Sequence, residues 1–252
     1  MGNGIRDGRV TVTMTAHATV CILTAMPEEA APFLDRLEQP TTLANAPKHL
    51  QVVCGSLHGE RIAVITTGIG LVAAASAATW AITTLAPQLI LSAGSCGGLA
   101  RDINVGDIAV SDSTSYGTAD ATEFGYVRGQ VPGQPVQFAA DEALVTAARD
   151  IAAGNANWHV ATILSGDTFV TERNVADTRN AFPAAIATDM ESCAIAQVCT
   201  AFAKRFASVR SVSDLCGPAA GQEFSIGIER AAQNSCDAVL TLLQQLPAFD
   251  RG

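Results

Sequence analysis

The chain alternates short apolar runs with longer segments in which apolar residues recur every three or four positions. Short apolar runs are typical of buried β-strands, and the longer pattern is typical of helices that pack on a sheet. At one such junction, an apolar run over residues 185–188 meets Asp189 and Glu191 and continues into a helical pattern from Ala194 to Phe202. The alternation predicts an α/β fold whose largely parallel or mixed sheet carries helices on both faces.

The first half of the chain predicts a specific order of elements. Pro27 and the two acids that follow it suit the first turn of a helix, and an Ala-rich helix is predicted over residues 72–85. The second and third strand candidates lie close enough in sequence to form a β-hairpin. The strand candidates of this half are residues 19–24, 50–54, 61–66 and 89–93.

Length and charge limit the domain count and the class of partner. The 252 residues are enough for one large α/β domain, and nothing in the sequence demands two. We expect a flexible N-terminal tail over residues 1–17 and a single domain over residues 18–248. The formal charge of −9 argues against a nucleic acid or a membrane surface as partner, because both need clusters of Lys and Arg. A small-molecule ligand fits this composition better.

Cysteine usage and hydropathy favour a cytoplasmic protein. Seven cysteines are scattered without a C-x-x-C pair, so neither a disulfide framework nor a metal site is expected. No apolar run approaches the roughly 18 residues of a membrane span, and residues 1–7 lack a signal-peptide core.

One glycine pair matches a loose dinucleotide-binding pattern. The run Gly68-Ile69-Gly70 opens a predicted helix, but the ribose-binding acid expected about 20 residues further on is replaced by Ser92-Ala93-Gly94. Tight packing or close approach of the backbone to another ligand explains these glycines better. We therefore expect no cofactor.

Four acids stand at or just past the ends of separate strand-like runs: Glu29, Asp167, Glu191 and Asp214. A solvated helix face would carry its acids at helical spacing within one element, so these positions indicate a site. In open α/β sheets, ligands bind at the carboxyl ends of strands, where helix N-termini supply free amide donors. For the pair Asp189 and Glu191 taken alone, a role in complementing a helix dipole is an equal alternative.

Two further segments have the composition of ligand-binding regions. The run Gly94-Ser95-Cys96-Gly97-Gly98 offers backbone amides and the Ser95 hydroxyl to a ligand, with a simple tight turn as the alternative. A long segment over residues 113–135 is punctuated by Gly and Pro, and loops of that length in compact domains usually bind something.

Taken together, eight segments resemble the nucleoside phosphorylase/nucleosidase family, and within it most closely the 5′-methylthioadenosine/S-adenosylhomocysteine nucleosidases. The resemblance runs in one order from about Val20 to Leu246. It implies a three-layer α/β/α fold around a central mixed, partly barrel-like sheet, a single nucleosidase catalytic domain over residues 18–248, and a homodimer. The segments are 25–29, 67–70, 93–99, 105–108, 124–126, 165–167, 189–191 and 210–214.

The resemblance implies a hydrolase that cleaves the N-glycosidic bond of 5′-substituted adenosines such as methylthioadenosine and S-adenosylhomocysteine. This cleavage needs a protonated purine, a sugar that tolerates oxocarbenium character, and a nucleophile at the anomeric carbon. By similarity, Asp214 with the adjacent Ser213 protonates the adenine, and Glu29 positions and deprotonates water. Glu191 accepts hydrogen bonds from the ribose hydroxyls beside the Met190 backbone.

The family pattern implies further contacts and shows one departure. Met is usually followed by three acids, whereas Pro27 replaces the first of them here. For Arg210, a structural ion pair is the alternative role. By similarity, Phe169 stacks on the base, the Val170 backbone reads the adenine edge, Ser95 and Gly97 line the site, Arg210 orients a carboxylate, Phe224 forms the wall near the 5′-substituent, and Phe124 and Pro132 reach that pocket across the dimer.

Charge favours hydrolysis over phosphorolysis. A phosphorylase must hold a phosphate dianion, which in the purine phosphorylases takes arginines in the first loop and near the Gly-Ser-Cys-Gly turn. Here those places hold Glu28, Glu29 and uncharged residues, although Arg61, Arg101 and Arg128 could enter from elsewhere. The alternatives are a phosphate-dependent purine nucleoside phosphorylase, a futalosine or aminodeoxyfutalosine hydrolase, and a non-catalytic nucleoside-binding module. The sequence does not fix the 5′-substituent.

Overall fold

A computed structural model describes residues 18–218, 220–246 and 249. The tail predicted over residues 1–17 lies outside the described residues, and so do residues 247 and 248 at the end of the predicted domain. The strands are β1 (Val20–Thr24), β2 (Glu38–Thr42), β3 (Gln51–Leu57), β4 (Glu60–Thr66), β5 (Leu89–Gly98), β6 (Ile108–Tyr116), β7 (Phe138–Ala139), β8 (Trp158–Ser165), β9 (Ala185–Asp189) and β10 (Arg205–Asp214). The helices are α1 (Pro27–Leu34), α2 (Leu71–Leu85), α3 (Glu142–Ala152), α4 (Val175–Ala181), α5 (Ser192–Ala201) and α6 (Ala220–Gln245).

The centre of the fold is a ring of five strands. β10 pairs with β5 on one side and with β6 on the other, and β8 and β9 complete the circle between β6 and β5. The pairs β5–β10, β6–β8 and β8–β9 are parallel, whereas β6–β10 and β5–β9 are antiparallel. From β5 the sheet continues through β1, β4, β3 and β2 as an open arm. The predicted mixed, partly barrel-like sheet is confirmed.

Helices cover the two faces of this sheet, as the strand composition requires. In β1, Val20 and Ile22 face a core shared with α1, α3 and α6, whereas Cys21 and Leu23 face a core shared with α2 and α5. A strand that buries both faces reads as a continuous apolar run, which is the pattern in the sequence. The predicted α/β/α layering is therefore confirmed.

Local predictions in the first half agree with the structure except for β2 (Glu38–Thr42), an exposed strand that no apolar run indicated. The hairpin is β3–β4, with Gln51 opposite Thr66, and α1 begins at Pro27. One alternative is wrong: the run Gly94–Gly98 does not form a tight turn but continues β5 as strand. Gly94 has a φ of +147°, and the strand keeps its pairing with β10 through this residue.

The strand directions bring several functional segments to one end of the ring. β1, β5 and β10 run parallel, so the α1 segment that follows β1, the glycines of β5 and the end of β10 meet at the same edge. β9 arrives from the opposite direction, with Thr188 opposite Gly97. Within the part of the chain that the structure describes, no helix is long and apolar enough to span a bilayer. The cytoplasmic location stays a prediction.

Candidate active site

A cavity of about 170 Å³ opens at this edge of the ring. It is lined by eleven of the thirteen predicted site residues, which are Glu29, Ser95, Gly97, Phe169, Val170, Met190, Glu191, Arg210, Ser213, Asp214 and Phe224. The sequence therefore predicted which strand ends meet, although the role of each side chain stays a prediction.

Glu29 is buried, with 1% of its surface exposed, and its carboxylate accepts four hydrogen bonds. Its Oε2 accepts the backbone N–H groups of Ala25 (2.9 Å) and Met26 (3.2 Å). Its Oε1 accepts both the N–H (2.8 Å) and the hydroxyl (2.9 Å) of Ser95. The replaced acid at Pro27 does not disturb this arrangement, because Pro27 occupies the first position of α1. The carboxylate is thus fixed at the wall of the cavity between the α1 turn and β5.

Asp214 ends β10 and is buried beside a thiol. Its Oδ1 accepts the Cys216 N–H at 3.0 Å, and its Oδ2 accepts the Ser213 hydroxyl at 3.0 Å. Burial raises the pKa of Asp214, these two hydrogen bonds oppose the shift, and the charge of Glu223 adds to it. A carboxyl group with a raised pKa keeps its proton closer to neutral pH and can act as a general acid.

Glu191 and Asp189 share one buried arginine. Arg210 Nε lies 3.1 Å from Asp189 Oδ2, and Arg210 Nη2 lies 3.4 Å from Glu191 Oε2. The other Glu191 oxygen accepts the Gly70 N–H at the start of α2 (3.0 Å). Burial raises the pKa of Glu191, Arg210 lowers it, and Asp189 raises it further. Arg210 thus pairs with both carboxylates, a geometry that is compatible with both roles considered from the sequence.

Asp189 holds the turn into α5 through hydrogen bonds. Its Oδ1 accepts the N–H groups of Glu191 and Ser192, each at 3.1 Å, and the Ser165 hydroxyl at 2.5 Å. Asp189 also pairs with Arg210, which contacts the Glu191 carboxylate. Asp189 therefore stabilises Glu191 both through the Glu191 N–H and through Arg210.

Aromatic side chains form the open part of the cavity. The rings of Phe169 and Phe224 meet edge to face with their centroids 5.9 Å apart. Phe169 remains 45% exposed, so part of its ring surface is available to a planar ligand. Val170 follows it and is buried against the cavity wall.

Three residues singled out from the sequence lie away from the cavity. Phe124, which is 80% exposed, and Pro132, which is also exposed, sit on the long loop after β6 and do not line the cavity of this chain. Asp167 does not line it either, because its Oδ1 accepts the Leu71 N–H at 2.8 Å and caps α2. The expectation that all four strand-end acids form the site is therefore wrong for Asp167.

Sequence reasoning missed several residues that contact the site residues or line the cavity beside them. Ser92 Oγ accepts a hydrogen bond from Arg210 Nη2 at 2.6 Å, and Ser235 contacts the backbone of β5. Cys216 lines the cavity next to Asp214, and burial raises the pKa of its thiol to about 12. No local pattern marks Ser92 and Ser235, because their partners lie in other elements. Among the described residues, no cluster of His, Cys, Asp or Glu could hold a metal ion.

Comparison with known proteins defines the class. The family model of the Phosphorylase superfamily matches residues 19–244, and the chain belongs to this superfamily. Among solved structures, it is similar to the 5′-methylthioadenosine/S-adenosylhomocysteine nucleosidase from Neisseria meningitidis in complex with methylthio-immucillin-A. That pair is 34% identical, covers 91% of this chain and 100% of that chain, and has a TM-score of 0.85.

Two further structures support the same resemblance. The nucleosidase from Colwellia psychrerythraea 34H, solved with adenine, is 36% identical over 91% of this chain and 96% of that chain, with a TM-score of 0.84. The S-adenosylhomocysteine nucleosidase from Streptococcus pyogenes, solved with 5-methylthiotubericidin, is 29% identical over 92% and 98%, with a TM-score of 0.87. These relatives are nucleosidases, that is, N-glycosidases. The predicted resemblance and enzyme class are confirmed at the level of the family.

Proposed function

We propose that the protein hydrolyses the N-glycosidic bond of 5′-substituted adenosines, such as methylthioadenosine and S-adenosylhomocysteine, to adenine and the 5′-substituted ribose. The observation that carries this proposal is the placement of Glu29 and Asp214 in the wall of one cavity, each buried and each held by backbone donors. Nucleosidase activity is also supported by relatives solved with adenine and with nucleoside analogues.

Asp214 is the general acid of the proposed mechanism. It gives its proton to the imidazole-ring nitrogen of the adenine as the bond to the sugar breaks, so the base leaves as a neutral molecule. Its raised pKa supports this role. Phe169 stacks on the base, and the Val170 backbone reads the adenine edge.

Glu29 is the general base. It accepts a proton from water, and the resulting hydroxide oxygen forms the new bond to the anomeric carbon. Glu191 accepts hydrogen bonds from the ribose hydroxyls, with the Met190 backbone beside it. A carboxylate there also stabilises the positive charge that develops on the sugar.

Charge in the cavity supports water rather than phosphate as the nucleophile. Arg210 is the one cation among the described residues that line the cavity, and Asp189 and Glu191 already pair with it. Arg128, a candidate from elsewhere, pairs with Asp177 at 3.0 Å and lies outside the lining. A phosphate dianion would therefore meet carboxylates without a free cation, which is unfavourable in a buried site.

The proposal includes a homodimer. The loop that carries Phe124 and Pro132 is exposed in the single chain, and Ile69 at the cavity mouth is 57% exposed. In a homodimer, this loop of one protomer would cover the apolar 5′-end of the cavity of its partner. Light scattering should give the mass of a dimer, and Phe124→Ala should raise KM for methylthioadenosine with little change in kcat. A monomeric, fully active protein would contradict this part.

The test of the reaction is base release from a panel of nucleosides with and without phosphate. We expect adenine from methylthioadenosine and S-adenosylhomocysteine at the same rate in both conditions. Asp214→Asn should lose most of the turnover, whereas Asp150→Asn, an exposed acid outside the cavity, should not. Strict dependence on phosphate would favour a phosphorylase, preference for aminodeoxyfutalosine would favour the hydrolase of that compound, and no release would favour a binding module.

A further inference from the structure

Ser235 is a buried residue outside the cavity that joins three elements. It lies on α6 and is fully buried. Its hydroxyl accepts the Gly94 N–H of β5 at 2.9 Å and donates to the Val209 carbonyl of β10 at 2.8 Å. Ala93 and Val209 are partners in the parallel β5–β10 ladder. The hydroxyl therefore bridges the two strands at Gly94, where β5 has a positive φ.

Gly94 also lies close to Glu29. A Cβ atom on Gly94 would lie 2.3 Å from Glu29 Oε1, so the backbone of β5 passes directly against the carboxylate. The next residue, Ser95, donates its N–H and its hydroxyl to the same oxygen. Any shift of β5 at Gly94 moves the two donors that hold Glu29.

Two contacts fix the peptide group that carries the Ser95 N–H. The peptide group before it is held through the Gly94 N–H by Ser235 (2.9 Å). The peptide group after it is held through the Ser95 carbonyl by Arg210 Nη1 (3.1 Å). With both neighbours fixed, the peptide group between them has little freedom to rotate, because each residue contributes only two soft dihedral angles.

We propose that Ser235 is a positioning residue, which acts through Gly94 and Ser95 to hold Glu29 in the orientation that general-base catalysis needs. The inference rests on the proposed function, because it assigns Ser235 to the step in which Glu29 acts on water. Catalytic groups work only within a narrow range of geometry, and residues that lock them through hydrogen bonds contribute to the rate without touching the substrate.

The first experiment compares Ser235→Ala with the wild type in adenine release and adenine binding. We expect kcat to fall about 10-fold, with KM and the adenine dissociation constant each within about 3-fold of wild type. The melting temperature should also fall by roughly 3–10 °C, because a buried N–H and a buried carbonyl lose their partner. Ser235→Cys fills the same space with a weaker hydrogen-bonding group, and its kcat should lie between those of Ser235→Ala and wild type.

A matched control separates positioning from general loss of stability. Thr162 lies on β8, across the ring from the β5–β10 pair, and its buried hydroxyl lies 2.9 Å from Ser113 Oγ. Thr162→Val should lower the melting temperature and leave kcat at the wild-type value. If Thr162→Val loses as much kcat as Ser235→Ala, or if adenine affinity falls together with kcat in Ser235→Ala, the positioning role is overturned.

A double-mutant cycle gives the decisive readout. Adding Ser235→Ala to Glu29→Gln should cause no further loss of kcat, measured in single turnovers at high enzyme concentration, because the group that Ser235 positions is already gone. Additive losses would overturn the proposal. Failure of the proposed function is recognised separately, because the wild-type protein would then release no adenine in the absence of phosphate.

Discussion

Gly94→Ala is the sharpest test of the geometry around Glu29. The added Cβ would lie 2.3 Å from Glu29 Oε1 and 2.4 Å from its Cδ, whereas ordinary contact begins at 3.4 Å. The carboxylate or the strand must therefore move by roughly 1 Å, and a displacement of that size lowers the rate on the order of 100-fold. The φ of +147° at Gly94 adds backbone strain of about 1–3 kcal/mol for any other residue.

The assay measures three quantities on the same variant. Adenine release gives kcat, urea denaturation gives the free energy of unfolding, and calorimetry gives adenine affinity. Affinity should stay near the wild-type value, because the side chains proposed to contact the base are Phe169 and Asp214 rather than Glu29. Gly59→Ala is the control, since Gly59 has a φ of +82° in the exposed β3–β4 turn and bears a similar backbone cost far from Glu29. A folded Gly94→Ala protein with kcat within about 3-fold of wild type would refute the reasoning.

Three further outcomes test other parts of the site. Because burial and the charge of Glu223 raise the pKa of Asp214, kcat/KM should fall as pH rises through that pKa and Asp214 loses its proton. Glu223→Gln should move this falling limb to lower pH, and Glu229→Gln on the same helix should not; equal shifts in both variants would contradict the assignment. Arg210→Met leaves two buried carboxylates unpaired and should lower the free energy of unfolding by about 3–5 kcal/mol in urea denaturation. A loss under about 1 kcal/mol, which is typical of a surface ion pair, would contradict this expectation. Asp167→Ala removes a helix cap and should cost about 0.5–2 kcal/mol of stability with unchanged adenine affinity; a large loss of affinity would place Asp167 in the site.

Much of the site could be predicted because its residues follow strands directly. Glu29 and Asp214 lie just beyond or at the end of β1 and β10, and parallel strands place such ends together. Glu191 also follows an apolar run, but its strand β9 runs antiparallel to β5, so this rule does not explain how Glu191 reaches the same cavity. The same rule failed for Asp167, although it also follows a strand. Its side chain caps α2 from outside, and strand-end position alone cannot distinguish an inward from an outward direction.

The sequence by itself determined the α/β class, most of the apolar strands and the acids at the strand ends, because apolar periodicity and chain punctuation act over a few neighbouring residues. Only the tertiary structure decided that β10 closes the ring between β5 and β6, that Arg210 pairs with both Asp189 and Glu191, and that Ser235 supports Gly94. These contacts join residues far apart in the chain. Their distances depend on strand register and helix packing, which no local pattern encodes.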